Sequence, residues 1–211
     1  MNPKQLFDQI TRQEHALTSA DLNTLGWQQA LSASQQRQDQ MAGLIASSVS
    51  PGIACQAGCW YCCHFMVEVR SEEALQIVDY VRANFASERA SQVKEKIVEN
   101  ADALRGKTRE QQMTANRQCA FLDGGKCSIY EVRPARCRTF HARDVAGCKQ
   151  AYEEPANLKI PNTLVPELLH TGEAHLKGLR QAFTDAGYDD GIYEMNAALA
   201  AIFDPGTKGS E

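Results

Sequence analysis

Along most of the chain the apolar residues recur at the three- and four-residue spacing of an amphipathic helix. In the first fifty residues Leu6, Ile10, Leu17, Leu25, Ala30, Leu31, Met41, Leu44 and Ile45 are the apolar points of a Gln- and Ala-rich stretch. The run SASQQRQDQ within it is too polar to be core on more than one side. It predicts an amphipathic helix lying on the surface, ended by SVSPG at residues 48–52. FMVEVR at 65–70 alternates and is β-branched, the pattern of a short strand. Ser71 then offers an N-cap, with Glu72 and Glu73 in the first turn and Leu75, Val78, Val81 and Phe85 on one helical face. From Ser87 to Gln112, Val93, Ile97, Ala101 and Leu104 are spaced by four, four and three, in one long helix or in two if Gly106 interrupts it.

The second half changes texture. CAFLDGGKCSIY sets two apolar stretches either side of Asp123-Gly124-Gly125, a hairpin turn signal with Cys119 and Cys127 on opposite arms. EVRPARCRTFH follows, and Pro134 suits the first turn of a short helix carrying Cys137. A Pro- and Glu-containing linker from Tyr152 to Pro161 leads to a helical pair. Leu168, Leu169, Leu176, Leu179 and Phe183 mark its first member, which ends near Gly187; Ile192, Met195, Leu199 and Ile202 mark the second, stopped by Asp204-Pro205. The predicted class is therefore mainly α, a helical domain with a small cysteine-bearing β-hairpin at a metal site. The predicted organisation is an N-terminal helical segment over 1–52, a cysteine-cluster metal-binding domain over 53–150 and a C-terminal helical segment over 151–211 packed on the same domain.

The 211 residues carry 22 basic and 26 acidic side chains, a net charge of -4, with a mean hydropathy of -0.41. No window approaches eighteen consecutive apolar residues, and Met1 to Ile10 shows neither a charged nor an apolar leader pattern. A soluble, cytoplasmic protein is expected, with no membrane partner and no global attraction to nucleic acid. The unusual feature is eight cysteines. Cytosolic thiols are kept reduced, so clustered ones point to metal or redox chemistry rather than to disulfides. Cys55, Cys59, Cys62 and Cys63 fall within nine residues, while Cys119, Cys127, Cys137 and Cys148 are spread over a second block. All eight are candidate metal ligands.

Thiolates suit zinc or an iron–sulfur cluster. Four of them around a divalent ion leave about -2 of charge, which asks for nearby cations. Residues 117–149 supply seven basic side chains against three acidic ones, a local +4 in an acidic protein. The adjacent pair Cys62-Cys63 favours two centres, or one ligand beside a packed or reactive thiol, because neighbouring side chains diverge. His64 and His141 follow cysteine-bearing stretches and could complete a site; His15, His170 and His175 read as surface or packing residues.

Cys55-x3-Cys59-x2-Cys62 with Tyr61 also matches the cluster motif of radical SAM enzymes, but the chain lacks the alternating strand and helix pattern of their βα barrel. The compound phrase fits another family better. CQAGCWYCCH, followed by Glu72-Glu73 and by CAFLDGGKCSIYEVRPARCRTFH, resembles the YkgJ-type cysteine-cluster family, whose members are described as zinc- or iron-chelating or as Fe–S-cluster-containing. The resemblance covers residues 55–141 and implies an iron–sulfur cluster or zinc as cofactor; its RP-x-x-CR phrase, which fixes Arg138 beside Cys137, favours Arg138 over Arg136 as the residue that compensates the thiolate charge. A similar cysteine pattern in flagellin lysine N-methylases makes SAM-linked methylation a more distant relative. The expected function is a cytosolic protein that holds an iron–sulfur cluster, or zinc, through two cysteine blocks. It would serve redox chemistry or metal-dependent protein modification with a protein or redox partner; the alternative is a structural zinc-binding interaction module. The residues show no nucleophile and base pair, phosphate loop or nucleotide fingerprint that would decide between enzyme and binding module.

Overall fold

The computed structural model describes residues 2–49, 52–161 and 163–204. Over these the chain is mainly helical, as its pattern predicts, with eight α-helices and two antiparallel pairs of two-residue strands among the described residues. It folds as two compact units that interleave in sequence. One takes the chain up to Cys55, Pro134–Val145 and the stretch after Pro161 up to Gly191; the other takes Gln56–Arg133, Ala146–Pro161 and the residues from Ile192 on.

The first unit is built on α1 (Pro3–Leu25), α2 (Trp27–Ala46) and α7 (Pro166–Asp185). Asn2 caps α1, its Oδ1 accepting from the Gln5 amide at 2.9 Å while Gln5 returns a bond to the Asn2 amide. The helix pair α1 and α7 packs closely because Gly178 has no side chain: a Cβ there would lie 2.5 Å from the Thr11 carbonyl oxygen and 2.9 Å from the Glu14 Cβ. Leu31, Ala135, Leu176, Leu179 and Phe183 form the apolar core, flanked by Leu22 and Trp27. Burial of each large member contributes about 1.5–3 kcal/mol.

The polar run of α2 departs from expectation. Ser34, Gln35 and Gln38 are buried, whereas Leu44 is 74% exposed. The reason is a polar interior shared by three helices. Glu14 on α1 accepts from Arg37 Nε and Nη2 at 2.9 and 2.8 Å and from the Thr18 hydroxyl at 2.7 Å. Arg37 also bonds Asp21 at 2.8 Å. His175 on α7 places Nδ1 3.5 Å from Glu14 and Nε2 3.1 Å from the Ser34 hydroxyl. Every charge is thus paired, the condition under which charge is tolerated inside a protein.

The short helix predicted from Pro134 is instead a run of hydrogen-bonded turns. The Ala135 carbonyl accepts from the Thr139 hydroxyl at 3.0 Å and from Gln38 Nε2 at 3.1 Å, which diverts it from a helical ladder. Beyond it, Ala142 and Leu164 form an isolated antiparallel bridge.

The second unit contains β1 (Glu68–Val69), α3 (Ser71–Asn84), α4 (Ser87–Leu104), α5 (Arg109–Met113), β2 (Leu122–Asp123), β3 (Lys126–Cys127), most of α6 (Val145–Glu153), β4 (Tyr193–Glu194) and α8 (Met195–Phe203). The stretch from Ser87 forms two helices, parted around Gly106. Arg70, not Ser71, is the N-cap of α3, its amide donating to Glu73 at 2.9 Å. The buried face of α3 is Ala74, Ile77, Val78 and Val81, leaving Leu75 largely exposed. β1 pairs with β4, in the register Glu68 to Glu194, 126 residues later, a contact no local pattern announces. Tyr152 and Glu153, expected in a linker, belong to α6, and Pro51 and Pro205, expected as stops, lie outside the described residues.

The buried network sets an acid sensitivity. Burial, joined by the Arg37 charge, holds His175 below the ordinary histidine range although Glu14 pulls the other way. As pH falls through about 6.5 the unfolded chain takes a proton that the folded one refuses, so stability declines. Burial works against the Glu14 carboxylate, yet Arg37 and the neighbouring hydroxyls outweigh it and leave it below the ordinary range. Its share is lost at still lower pH. Thermal unfolding between pH 7.5 and 5.0 should show a steeper fall for the natural protein than for His175→Gln; parallel falls would contradict this account.

Candidate metal centre

The first cysteine block opens with a loop in which the Cys59 amide donates to the Gln56 carbonyl at 3.0 Å. It then winds into a 3₁₀ turn over Tyr61–His64. The second block enters the same unit at Cys119, just before β2. Four features position it. Asn100, fully buried on α4, donates to the Gln118 carbonyl at 2.9 Å and accepts from Arg117 Nε at 3.2 Å. Asn116, at φ 47°, donates to the Tyr152 carbonyl at 2.8 Å. Phe121 and Ile129 anchor the two arms in the core. Gly124 and Gly125, at φ 53° and 78°, make the tight turn between β2 and β3, which needs two positive φ angles in succession.

The blocks meet through their backbones: the Cys119 amide donates to the Cys63 carbonyl at 2.7 Å. Around that bond the thiols of Cys62, Cys63, Cys119 and Cys127 influence one another. The Cys63 sulfur beside it, more than burial, raises the Cys62 thiol, and the Arg133 charge opposes this; the residue itself stays exposed. Burial pushes the Cys119 thiol up to about 12, reinforced by Cys127, Cys62 and Glu194. These shifts describe protonated thiols; a cation that replaces the protons reverses the balance.

Cys59 and Cys148 also lie in this unit, Cys148 on α6. Cys55 and Cys137 belong to the first unit. There the Cys55 sulfur accepts the Ala142 amide at 3.2 Å, and Cys137 sits in the turn after Pro134. Among the described residues, no three His, Cys, Asp or Glu side chains already stand in a metal-ligating arrangement. The donor chemistry nevertheless fits a soft thiophilic metal: Cys62, Cys63, Cys119 and Cys127 belong to one unit, in which a backbone bond joins the two blocks.

His64 is buried among aromatic rings. Its ring lies 5.1 Å from Trp60 and 4.8 Å from Tyr152, and Tyr61 completes the group. Burial lowers its basicity, partly offset by the Trp60 carbonyl. The His141 Nε2 faces the Arg138 carbonyl at 2.9 Å. Arg138 is itself buried and ion-paired with Asp39, so it is not a solvated surface residue. Arg136 pairs with Glu173.

A family model described as CxxCxxCC, "Putative zinc- or iron-chelating domain", matches residues 54–160, half of the chain. The chain belongs to this family. It is the YkgJ-type family that the cysteine phrase resembles, and the chelating domain spans both cysteine blocks. Its zinc- or iron-chelating description agrees with the cofactors expected from the thiolates. In this chain the first cysteine interval is three residues, where the family label has two. No curated protein and no solved structure matches. None of the helices among the described residues is long and apolar enough to cross a membrane.

The sequence reading missed Asn100 and Asn116, because an asparagine gives no signal of its long-range partners. It also missed the Ser34, His175 and Glu14 chain, whose order matches a hydrolytic triad. Ser34 has no exposed surface, so that chain serves packing rather than catalysis.

Thiol reactivity separates these environments. In reduced, metal-free protein at pH 8, alkylation mapped by mass spectrometry should modify exposed Cys55 at least about tenfold faster than Cys119, since only the thiolate reacts. Equal rates would contradict the raised Cys119 thiol.

Proposed function

We propose that this protein holds an iron–sulfur cluster, with zinc as the competing occupant, through thiolates drawn from both cysteine blocks. In this reading Cys62, Cys63, Cys119 and Cys127 are the first ligands, with Cys59 and Cys148 of the same unit next in line. The observation that carries this reading is the 2.7 Å bond from the Cys119 amide to the Cys63 carbonyl, which ties the blocks together within one unit. An iron–sulfur centre supplies one-electron transfer, with a potential set by hydrogen bonds and solvent exposure.

The chain's own residues supply the rest. The hairpin holds Cys127 in register opposite Leu122. Asn100 fixes the approach to Cys119, and Trp60, Tyr61, His64 and Tyr152 form one ring group at the turn that carries Cys62 and Cys63. Exposure of Cys62 leaves one edge of the site open to solvent, which favours a redox or protein-modifying role with a redox partner over a closed structural zinc site. A cytoplasmic setting suits the eight free thiols. The radical SAM alternative has less support, because the described strands are two residues long and antiparallel.

The test is purification without air, followed by metal and sulfide analysis. Brown protein containing iron and acid-labile sulfide is expected. Cys62→Ser and Cys119→Ser should each lose most of the metal and unfold at lower temperature, because binding and folding are linked; Cys148→Ser should lose much less. Colourless protein with stoichiometric zinc would support the interaction module, and protein without either metal would contradict the reading.

A further inference from the structure

We infer that Asn196, on α8, is a positioning residue for the Cys119 ligand, acting through Asn100 on α4, an inference that rests on the metal reading above. Both asparagines belong to the unit that contains Cys63 and Cys119, and α8 itself carries no cysteine.

The peptide between Gln118 and Cys119 is held at both ends. Its N–H donates to the Cys63 carbonyl at 2.7 Å, and its C=O accepts from Asn100 Nδ2 at 2.9 Å. A peptide unit is planar, so bonds at its two ends fix its orientation and with it the direction in which the Cys119 side chain leaves the backbone. The Cys119 carbonyl in turn accepts the Leu122 amide at 3.1 Å.

Asn100 is fully buried, with both amide hydrogens and its oxygen engaged. Its Oδ1 accepts from Arg117 Nε at 3.2 Å, and the second hydrogen of Nδ2 goes to Asn196 Oδ1 at 3.4 Å. Asn196, also buried, cannot turn its amide around, because its Nδ2 donates at 2.7 Å to the carboxylate oxygen Oε1 of Glu194, which only accepts. Glu194 is fixed as the N-cap of α8, its Oε2 accepting from the Ala197 amide at 2.9 Å. One hydrogen-bonded chain therefore runs from the first turn of α8 through two carboxamides to the peptide that carries Cys119, and on to Cys63 in the other block. Removing the Asn196 side chain leaves a buried N–H of Asn100 without its acceptor, and frees the carboxamide that orients the Cys119 peptide to turn.

Cobalt(II) loaded into the full-length chain reports on the site through its thiolate-to-metal absorption, and its release to a chelator can be timed well below the unfolding temperature. Asn196→Ala should release cobalt roughly tenfold faster and weaken that absorption, and Asn100→Ala should release it up to about a hundredfold faster, the scale for residues that orient ligands. The double variant should be no faster than Asn100→Ala alone, because Asn196 acts only through Asn100. Leu199→Val, which thins the buried face of α8 without touching the chain of amides, should lower the melting temperature yet keep the natural rate and spectrum. In the natural protein, cobalt loading should slow hydrogen exchange at the Ala197 amide, since coupling between two ends is reciprocal. A natural rate in Asn196→Ala, single losses that multiply in the double variant, equal release from Leu199→Val and Asn196→Ala, or an Ala197 amide indifferent to cobalt would each overturn the role of Asn196. A natural protein that takes up no cobalt, zinc or iron would overturn the metal reading itself, and this inference with it.

Discussion

One backbone hydrogen bond, from the Cys119 amide to the Cys63 carbonyl, organises the chelating domain. It closes a loop of some fifty-five residues holding α3, α4 and α5, a cost in chain entropy that local contacts alone do not offset. Its support is a set of buried partners: Asn100, bonded to the Gln118 carbonyl, and Phe121 and Ile129 on the two arms of the hairpin. A metal bound by thiolates of both blocks, as proposed, would add to the same closure. Ligand binding and folding then become two readings of one free energy.

The sequence made the helical character and the cysteine chemistry legible, and for clear reasons. Helical periodicity and turn chemistry are local, so α3, α4, α7, α8 and the Asp123-Gly124-Gly125 hairpin could be read within a few residues of their boundaries. The cysteine phrase identified a family through its spacing. What stayed hidden depends on partners distant in sequence. The α2 run looked like a surface because nothing near it reveals that Glu14 and His175 wait on other helices. The turns after Pro134 looked helical because the competing donor, Gln38, lies almost a hundred residues earlier.

The same distinction applies to the arginines. By sequence alone Arg138 is the residue beside a cysteine, and Arg133 merely precedes a proline. In the structure Arg138 is drawn into an ion pair with Asp39, and the Arg133 guanidinium lies over the Tyr130 ring. Adjacency in the chain fixes which residues are neighbours by bond, and the fold decides which charges act on which. The first unit shows this as well: its interior is polar, yet stable, because each charge meets its counterpart across a helix interface.

The central claim is that thiolates of both blocks share one centre. X-ray absorption of the metal-loaded protein tests it most directly, because the sulfur shell at about 2.3 Å around zinc can be counted. The account predicts a sulfur-dominated shell that loses one sulfur in Cys63→Ser and, separately, one in Cys119→Ser. A shell unchanged by either substitution would mean that a single block holds the metal, and would contradict the account.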